Sequence, residues 1–250
     1  LAESGEAHQQ RCNLCAGRRA LRLEAAVVHT TQQADGDCPA NRCERIGADL
    51  HPIGELRQII ACAGDSADLL EIYRKYIDTP ITFEYTLPTL EDFSRRIEEA
   101  LQFYPCLICR EENQVLGYAY AHRQAERAAY QWNAELSIYL DPACTSRGLG
   151  RRMYAILLEL LRLQDIRTAY GCVTLSNEKS NRLHLGMGFS LVGVYHNAGY
   201  KCGRWWDVAW YEKSLASYGE APAPPHSVHT LSPTELSAAL GLARGEGAAV

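Results

Sequence analysis

Apolar residues recur along the middle of this chain in two periods, and their alternation outlines a mixed domain. A short apolar run over 56–61 reads as a strand. Asp65 or Ser66 then precedes Leu69, Tyr73, Tyr76 and Ile77, the spacing of a helix with a hydrogen-bonding side chain at its start. Thr89, with Asp92 three residues on, opens a second helix striped by Leu90, Phe93, Ile97, Leu101 and Tyr104. Residues 106–110 and 115–122 flank the polar segment Glu111-Glu112-Asn113-Gln114 and predict a hairpin. In 134–140, Leu136, Ile138 and Leu140 alternate with Glu135, Ser137 and Tyr139, and Asp141-Pro142 ends that strand.

A long amphipathic helix follows Gly148, marked by Leu149, Met153, Ile156, Leu157 and Leu160. Beyond it the pattern predicts a strand over 168–174, a helix over 178–187 closed by Gly188, and strands over 191–194 and 208–211. The order of elements implies an α/β fold, a mixed sheet flanked by helices. Three segments result. Residues 1–54 lack periodicity and read as an appendage, 55–216 hold the domain, and 217–250 form a tail. The tail is linker-like at Ala221-Pro222-Ala223-Pro224-Pro225, with Ser232-Pro233-Thr234-Glu235 starting a short helix through Leu242.

The net charge of -5 and pI near 5.9 argue against a nucleic-acid or anionic-membrane binder, either of which favours a basic surface. A small molecule or peptide is the expected partner. No run approaches the ~20 apolar residues of a membrane span, and the charged first twenty residues do not read as a secretory signal, so a cytoplasmic location is expected. Six of the ten cysteines, Cys62, Cys106, Cys109, Cys144, Cys172 and Cys202, fall in apolar segments and read as reduced thiols. Cys12, Cys15, Cys38 and Cys43, with His29 and His51, have residue types suited to zinc, but their spacing lacks a knuckle pattern and no metal is expected. Trp132, Trp205, Trp206 and Trp210 read as core or pocket-wall aromatics.

The most informative segment is Arg147-Gly148-Leu149-Gly150-Arg151-Arg152. Cations in the first turn of a helix oppose its dipole by ~0.3–1 kcal/mol each, so three arginines there make sense if an anion shares the place. Gly148 and Gly150 let backbone approach a phosphate. A solvated basic turn is the plainer alternative. The P-loop and dinucleotide fingerprints are absent, the latter because Met153 stands where a third Gly is needed.

Strand, Arg-Gly-Leu-Gly, helix, strand, Ser176-Asn177-Glu178-Lys179-Ser180 and Gly186-Met187-Gly188-Phe189 together resemble the core of the GNAT acetyltransferases. Residues 56–215 resemble in particular the phosphinothricin and methionine-sulfone acetyltransferases. The marks are Thr82-Phe83-Glu84, Gly117-Tyr118-Ala119-Tyr120, Tyr130-Gln131-Trp132, Glu135-Leu136-Ser137-Ile138-Tyr139 and the segment Gly199-Tyr200-Lys201-Cys202-Gly203-Arg204-Trp205-Trp206-Asp207-Val208. One departure is Thr145, where the family commonly has Gln or Arg.

The resemblance implies a mostly antiparallel twisted sheet, acetyl-CoA as co-substrate, and direct acetyl transfer to the amine of a small amino-acid-like acceptor. It implies Glu135 as general base, in a strand where burial raises a carboxyl pKa, and His184 as proton relay or substrate-orienting group. The carrier's pyrophosphate falls to Ser146, Arg147, Gly148, Leu149, Gly150, Arg151 and Arg152. Its pantetheine arm falls to Asn177 and to the backbone of Ile138 and Leu140. Phe83, Glu84, Arg127 and Tyr130 match the acceptor pocket. Helix cap for Asn177 and structural histidine for His184 remain alternatives, as do a binding-only sensor and a peptide-modifying acetyltransferase for the whole chain. A homodimer is left open.

Overall fold

The computed structural model describes residues 56–112 and 114–241. The appendage over 1–54, with the four cysteines considered for zinc, lies outside the described residues. One sheet is built from β1 (Leu56–Ile60), β2 (Cys106–Glu111), β3 (Gln114–Arg123), β4 (Asn133–Leu140), β5 (Thr168–Thr174), β6 (Ser190–Lys201) and β7 (Arg204–Ser214), ordered β1-β2-β3-β4-β5-β7-β6. Among the described residues five α-helices accompany it: α1 (Ser66–Arg74), α2 (Leu90–Leu101), α3 (Leu149–Leu163), α4 (Glu178–Gly186) and α5 (Pro233–Gly241). Only β4 and β5 run parallel; the other neighbours are antiparallel. A parallel pair needs a crossover, and α3 supplies it.

Alternation along the central strands sorts side chains onto two faces. On one, Tyr118, Tyr120 and Tyr139 pack with Leu69, Tyr73, Phe93 and Ile97 of α1 and α2. On the other, Ala119, Ala121, Leu136, Ala169 and Val173 pack beneath α3. There Met153, Ile156, Leu157, Leu160 and Leu161 are completely buried, each stabilising by ~1.5–3 kcal/mol. The small residues of β3 and β5 let the helix lie close.

Thr89 caps α2 as its sequence predicts, its Oγ1 accepting from the Asp92 N–H at 3.1 Å. Leu90, expected in the apolar stripe, is exposed because it faces outward from the first turn. At α1 the cap differs: the Asp65 carboxylate accepts from the Cys62 N–H at 2.8 Å and so closes the preceding turn instead of the helix. A salt bridge from Arg110 at 2.8 Å holds it there. Cys106, Cys109 and Cys144 are buried, while Cys172 and Cys202 are exposed.

Two expectations are corrected. The last strands are much longer than 191–194 and 208–211, forming a hairpin turned at Cys202 and Gly203, both at positive φ. Breaks in pairing between Leu191 and Gly193 and between Tyr195 and Gly199 interrupt the alternation that sequence reasoning relies on. Trp205 on this hairpin, expected as a core or pocket-wall aromatic, is 59% exposed and lies outside the core. The tail is also no free linker: Trp132 Nε1 donates to the Ala223 carbonyl at 2.9 Å, and Gln164 Nε2 to the His226 carbonyl at 2.9 Å. Val228, Leu231 and Ala239 are buried in the core under α3, so three apolar residues spaced too irregularly to form a stripe anchor it.

Candidate active site

The register of β4 and β5 runs from Asn133 opposite Thr168 to Leu136 opposite Gly171 and then stops. Beyond it β4 continues to Leu140 beside β3, while β5 continues to Thr174 beside β7. The two strands therefore part after Leu136, and the β5 side of 137–140 is left without a strand partner. A crevice opens at their C-terminal ends, the place where helix-flanked sheets bind ligands.

The first turn of α3 sits at this opening. Ser146 and Gly148 both have positive φ, at 64° and 81°, and Gly148 is the N-cap residue with no side-chain capping bond. The leading N–H groups of the helix are thus offered outward. A Cβ on Gly150 would stand 3.3 Å from Leu183, 3.5 Å from Ile138 and 3.7 Å from Leu140, so the missing side chain lets α3 press onto the end of β4 and onto α4.

The three arginines do not all converge. Arg147 reaches Glu111 at 3.1 Å, and Arg151 donates to the Gly186 carbonyl at 3.0 Å, where it caps the C-terminal end of α4. Only Arg152 is exposed and without a partner among the described residues. Lys179, which the sequence reading did not single out, donates to Thr145 Oγ1 at 2.8 Å. The hydroxyl that departs from the family pattern therefore brings a cation to the turn. Asn177 caps α4, its Oδ1 accepting from the Ser180 N–H at 3.2 Å.

Glu135 lies on β4, half-buried, opposite His122 of β3 and beside Tyr170 of β5. Its carboxylate makes no hydrogen bond or ion pair with any described residue. Burial pushes its carboxyl above the usual range, opposed by the neighbouring His122 charge. His122 lines a cavity of about 730 Å³ together with Arg96, Glu99, Tyr104, Tyr120 and Arg123.

His184 is not brought to Glu135. A Cβ on Gly171 would come within 2.2 Å of His184 Nε2, and Gly171 pairs with Leu136, so the imidazole lies on the Leu136 face while Glu135 points to the other. The ring is 2% exposed, packed by Tyr154, Phe189 and Tyr211. Its Nδ1 meets the Ser180 carbonyl at 2.8 Å and its Nε2 the Tyr154 hydroxyl at 3.3 Å. Because a carbonyl only accepts, Nδ1 carries the hydrogen. Burial holds the ring below the ordinary histidine pKa, against the Ser180 bond.

Phe83 and Glu84 border a second cavity of about 600 Å³ with Tyr85, Asp92, Arg95 and Arg96. Phe83 packs on Gly199, whose added Cβ would meet its ring at 2.5 Å. Glu84 pairs with Arg96 at 2.8 Å. Lys201, 4% exposed, holds this loop by donating to the Thr82 and Glu84 carbonyls at 2.6 and 2.7 Å. Arg127 and Tyr130 are exposed and border neither cavity. Arg96, which borders both, was not foreseen, because nothing in a helix pattern distinguishes it from Arg95.

The comparisons fit this geometry. Residues 60–210 match the family model described as Acetyltransferase (GNAT) domain. A phosphinothricin N-acetyltransferase of Streptomyces coelicolor is 35% identical over 163 residues, covering 60% of this chain and 91% of that protein. An L-methionine sulfoximine/L-methionine sulfone acetyltransferase of Salmonella typhimurium is 27% identical over 161 residues, covering 64% and 94%. Among solved structures, a GNAT superfamily phosphinothricin acetyltransferase from Sinorhizobium meliloti in complex with acetyl-CoA superposes with a TM-score of 0.63 at 29% identity, covering 71% of this chain and 99% of the other. With its parted parallel strands, its uncapped glycine-opened helix and these matches, the chain belongs to the GNAT acetyltransferase family and is an acetyl-CoA-dependent N-acetyltransferase.

Proposed function

We propose that this enzyme acetylates the amine of a small amino-acid-like acceptor of the phosphinothricin or methionine sulfone and sulfoximine type, by direct transfer with Glu135 as general base. The observation that carries the mechanism is the Glu135 carboxylate itself: half-buried, unpartnered, raised in pKa, and placed where β4 is about to leave β5. An acceptor arrives as an ammonium ion, and a carboxylate whose proton affinity has been raised by burial is suited to remove its proton. Bound acetyl-CoA supplies an activated acyl group as a thioester.

The residues at the crevice fit that co-substrate. Arg152 and the outward N–H groups after Gly148 suit a diphosphate, with Ser146, Leu149, Gly150 and the partnered Arg147 and Arg151 shaping the turn. Backbone of Ile138 and Leu140, on the stretch of β4 that has lost β5, suits an amide-bearing arm laid down as an extra strand, with Asn177 at the start of α4 beside it. His184 we assign to holding α4 against β5. Phe83 and Glu84 form one wall of the acceptor site, and Arg96, which borders both cavities, is the cation best placed for an acceptor carboxylate, while Arg127 and Tyr130 stand apart from that wall.

The direct test is thiol release from acetyl-CoA over a panel of amino acids, phosphinothricin, methionine sulfone and peptides. Release with the small amino-acid analogues is expected, and release with peptides alone overturns the substrate assignment. Arg152→Glu should weaken acetyl-CoA binding by roughly 10- to 100-fold in calorimetry, because it removes a charge-assisted contact and adds a like charge. An unchanged affinity removes Arg152 from the pyrophosphate site.

A further inference from the structure

We propose that His122 is the second proton carrier of this active site, taking from Glu135 the proton removed from the acceptor amine and passing it to solvent. The inference rests on the assignment of Glu135 as base and concerns a residue that no sequence motif singled out.

Three observations place His122 in that role. It is the cross-strand partner of Glu135 in the β3–β4 ladder, and residues so paired have Cβ atoms ~4.5–5.5 Å apart on one face. Its Nδ1 contacts the Arg123 carbonyl at 3.2 Å. A carbonyl can only accept, so neutral His122 donates from Nδ1 and keeps the lone pair on Nε2, which has no other partner among the described residues. Finally, His122 borders the 730 Å³ cavity and Glu135 on the neighbouring strand does not, so the imidazole is the member of the pair that meets that open space.

The groups around this pair are few. Tyr120 stands beside His122 on β3, with ring centroids 5.7 Å apart. Ser137 shares the face on β4, and Tyr170 and Cys172 on β5. Arg96 and Glu99 of α2 and Arg123 of β3 border the cavity. No carboxylate other than Glu135 is paired opposite His122 in the ladder.

The step balances simply. The N–H bond of the acceptor ammonium breaks, its electron pair stays on nitrogen, and the proton forms an O–H bond on Glu135. That bond then breaks as the proton moves to His122 Nε2, directly or across one water, and the imidazolium releases it into the cavity.

His122→Gln keeps a polar side chain of similar size without the titratable nitrogen. Its kcat should fall about tenfold with the acetyl-CoA KM unchanged, and added imidazole should restore part of the rate in His122→Ala. In His122→Gln, the Glu135 carboxyl signal in 13C NMR should titrate at higher pH than in wild type, since the imidazole that opposes the effect of burial is gone. A kcat within about twofold of wild type, or a fall that imidazole does not rescue and that leaves the Glu135 titration unmoved, overturns the proposal. Failure of wild type to turn over any acceptor strikes the parent assignment instead, and the NMR comparison still shows whether the two side chains are coupled.

Discussion

Glu135→Gln should lower kcat by roughly 10²- to 10⁴-fold, the range for loss of a general base, while acetyl-CoA affinity stays close to wild type. A base works only when ionised, so wild-type kcat/KM should fall as pH drops through the Glu135 pKa. Because burial raises that pKa, the acid limb should lie above the usual carboxylate value of 4.5. The Gln variant should have no such limb. Stability should move the other way: a carboxyl whose folded-state pKa is raised is destabilising when ionised, so at neutral pH Glu135→Gln should melt no lower than wild type. Full activity in the variant at any pH, with its fold intact, ends the role of Glu135 as base.

The second large effect concerns His184 and is thermodynamic. Its folded-state pKa is depressed by burial, whereas the unfolded chain protonates near the ordinary histidine value of 6.5. A proton taken up only on unfolding favours the unfolded state, so the contribution of neutral His184 is fully present above pH 6.5 and is lost as pH falls below it. The slope approaches ~1.4 kcal/mol per pH unit until the folded-state pKa is reached. Chemical denaturation from pH 7.5 to 5 should show this loss, and His184→Gln should flatten that part of the profile while lowering stability at neutral pH through poorer packing against Gly171 and Tyr154. If the same slope persists in the variant, another group is responsible.

Much of the fold was written in local pattern. Thr89 caps its helix, the alternation from Glu135 to Leu140 gives β4, and the stripe from Leu149 to Leu160 gives α3, because periods of 2 and 3.6 residues are set by backbone geometry before any tertiary contact forms. The hairpin of β6 and β7 was underestimated where bulges broke the period, and the tail where a few isolated apolar residues do the anchoring.

The site divides in the same way. The family, the glycine-opened turn, and Glu135 as the one acidic residue of β4 were legible in the residues alone. Which arginine remains free depends on long-range contacts, since Glu111 and the Gly186 carbonyl that occupy Arg147 and Arg151 are more than thirty residues away in sequence. Strand pairing likewise puts His184 behind the sheet and His122 beside Glu135. Which residues face one another across strands depends on register, and register is fixed by the packing of the whole sheet on its helices.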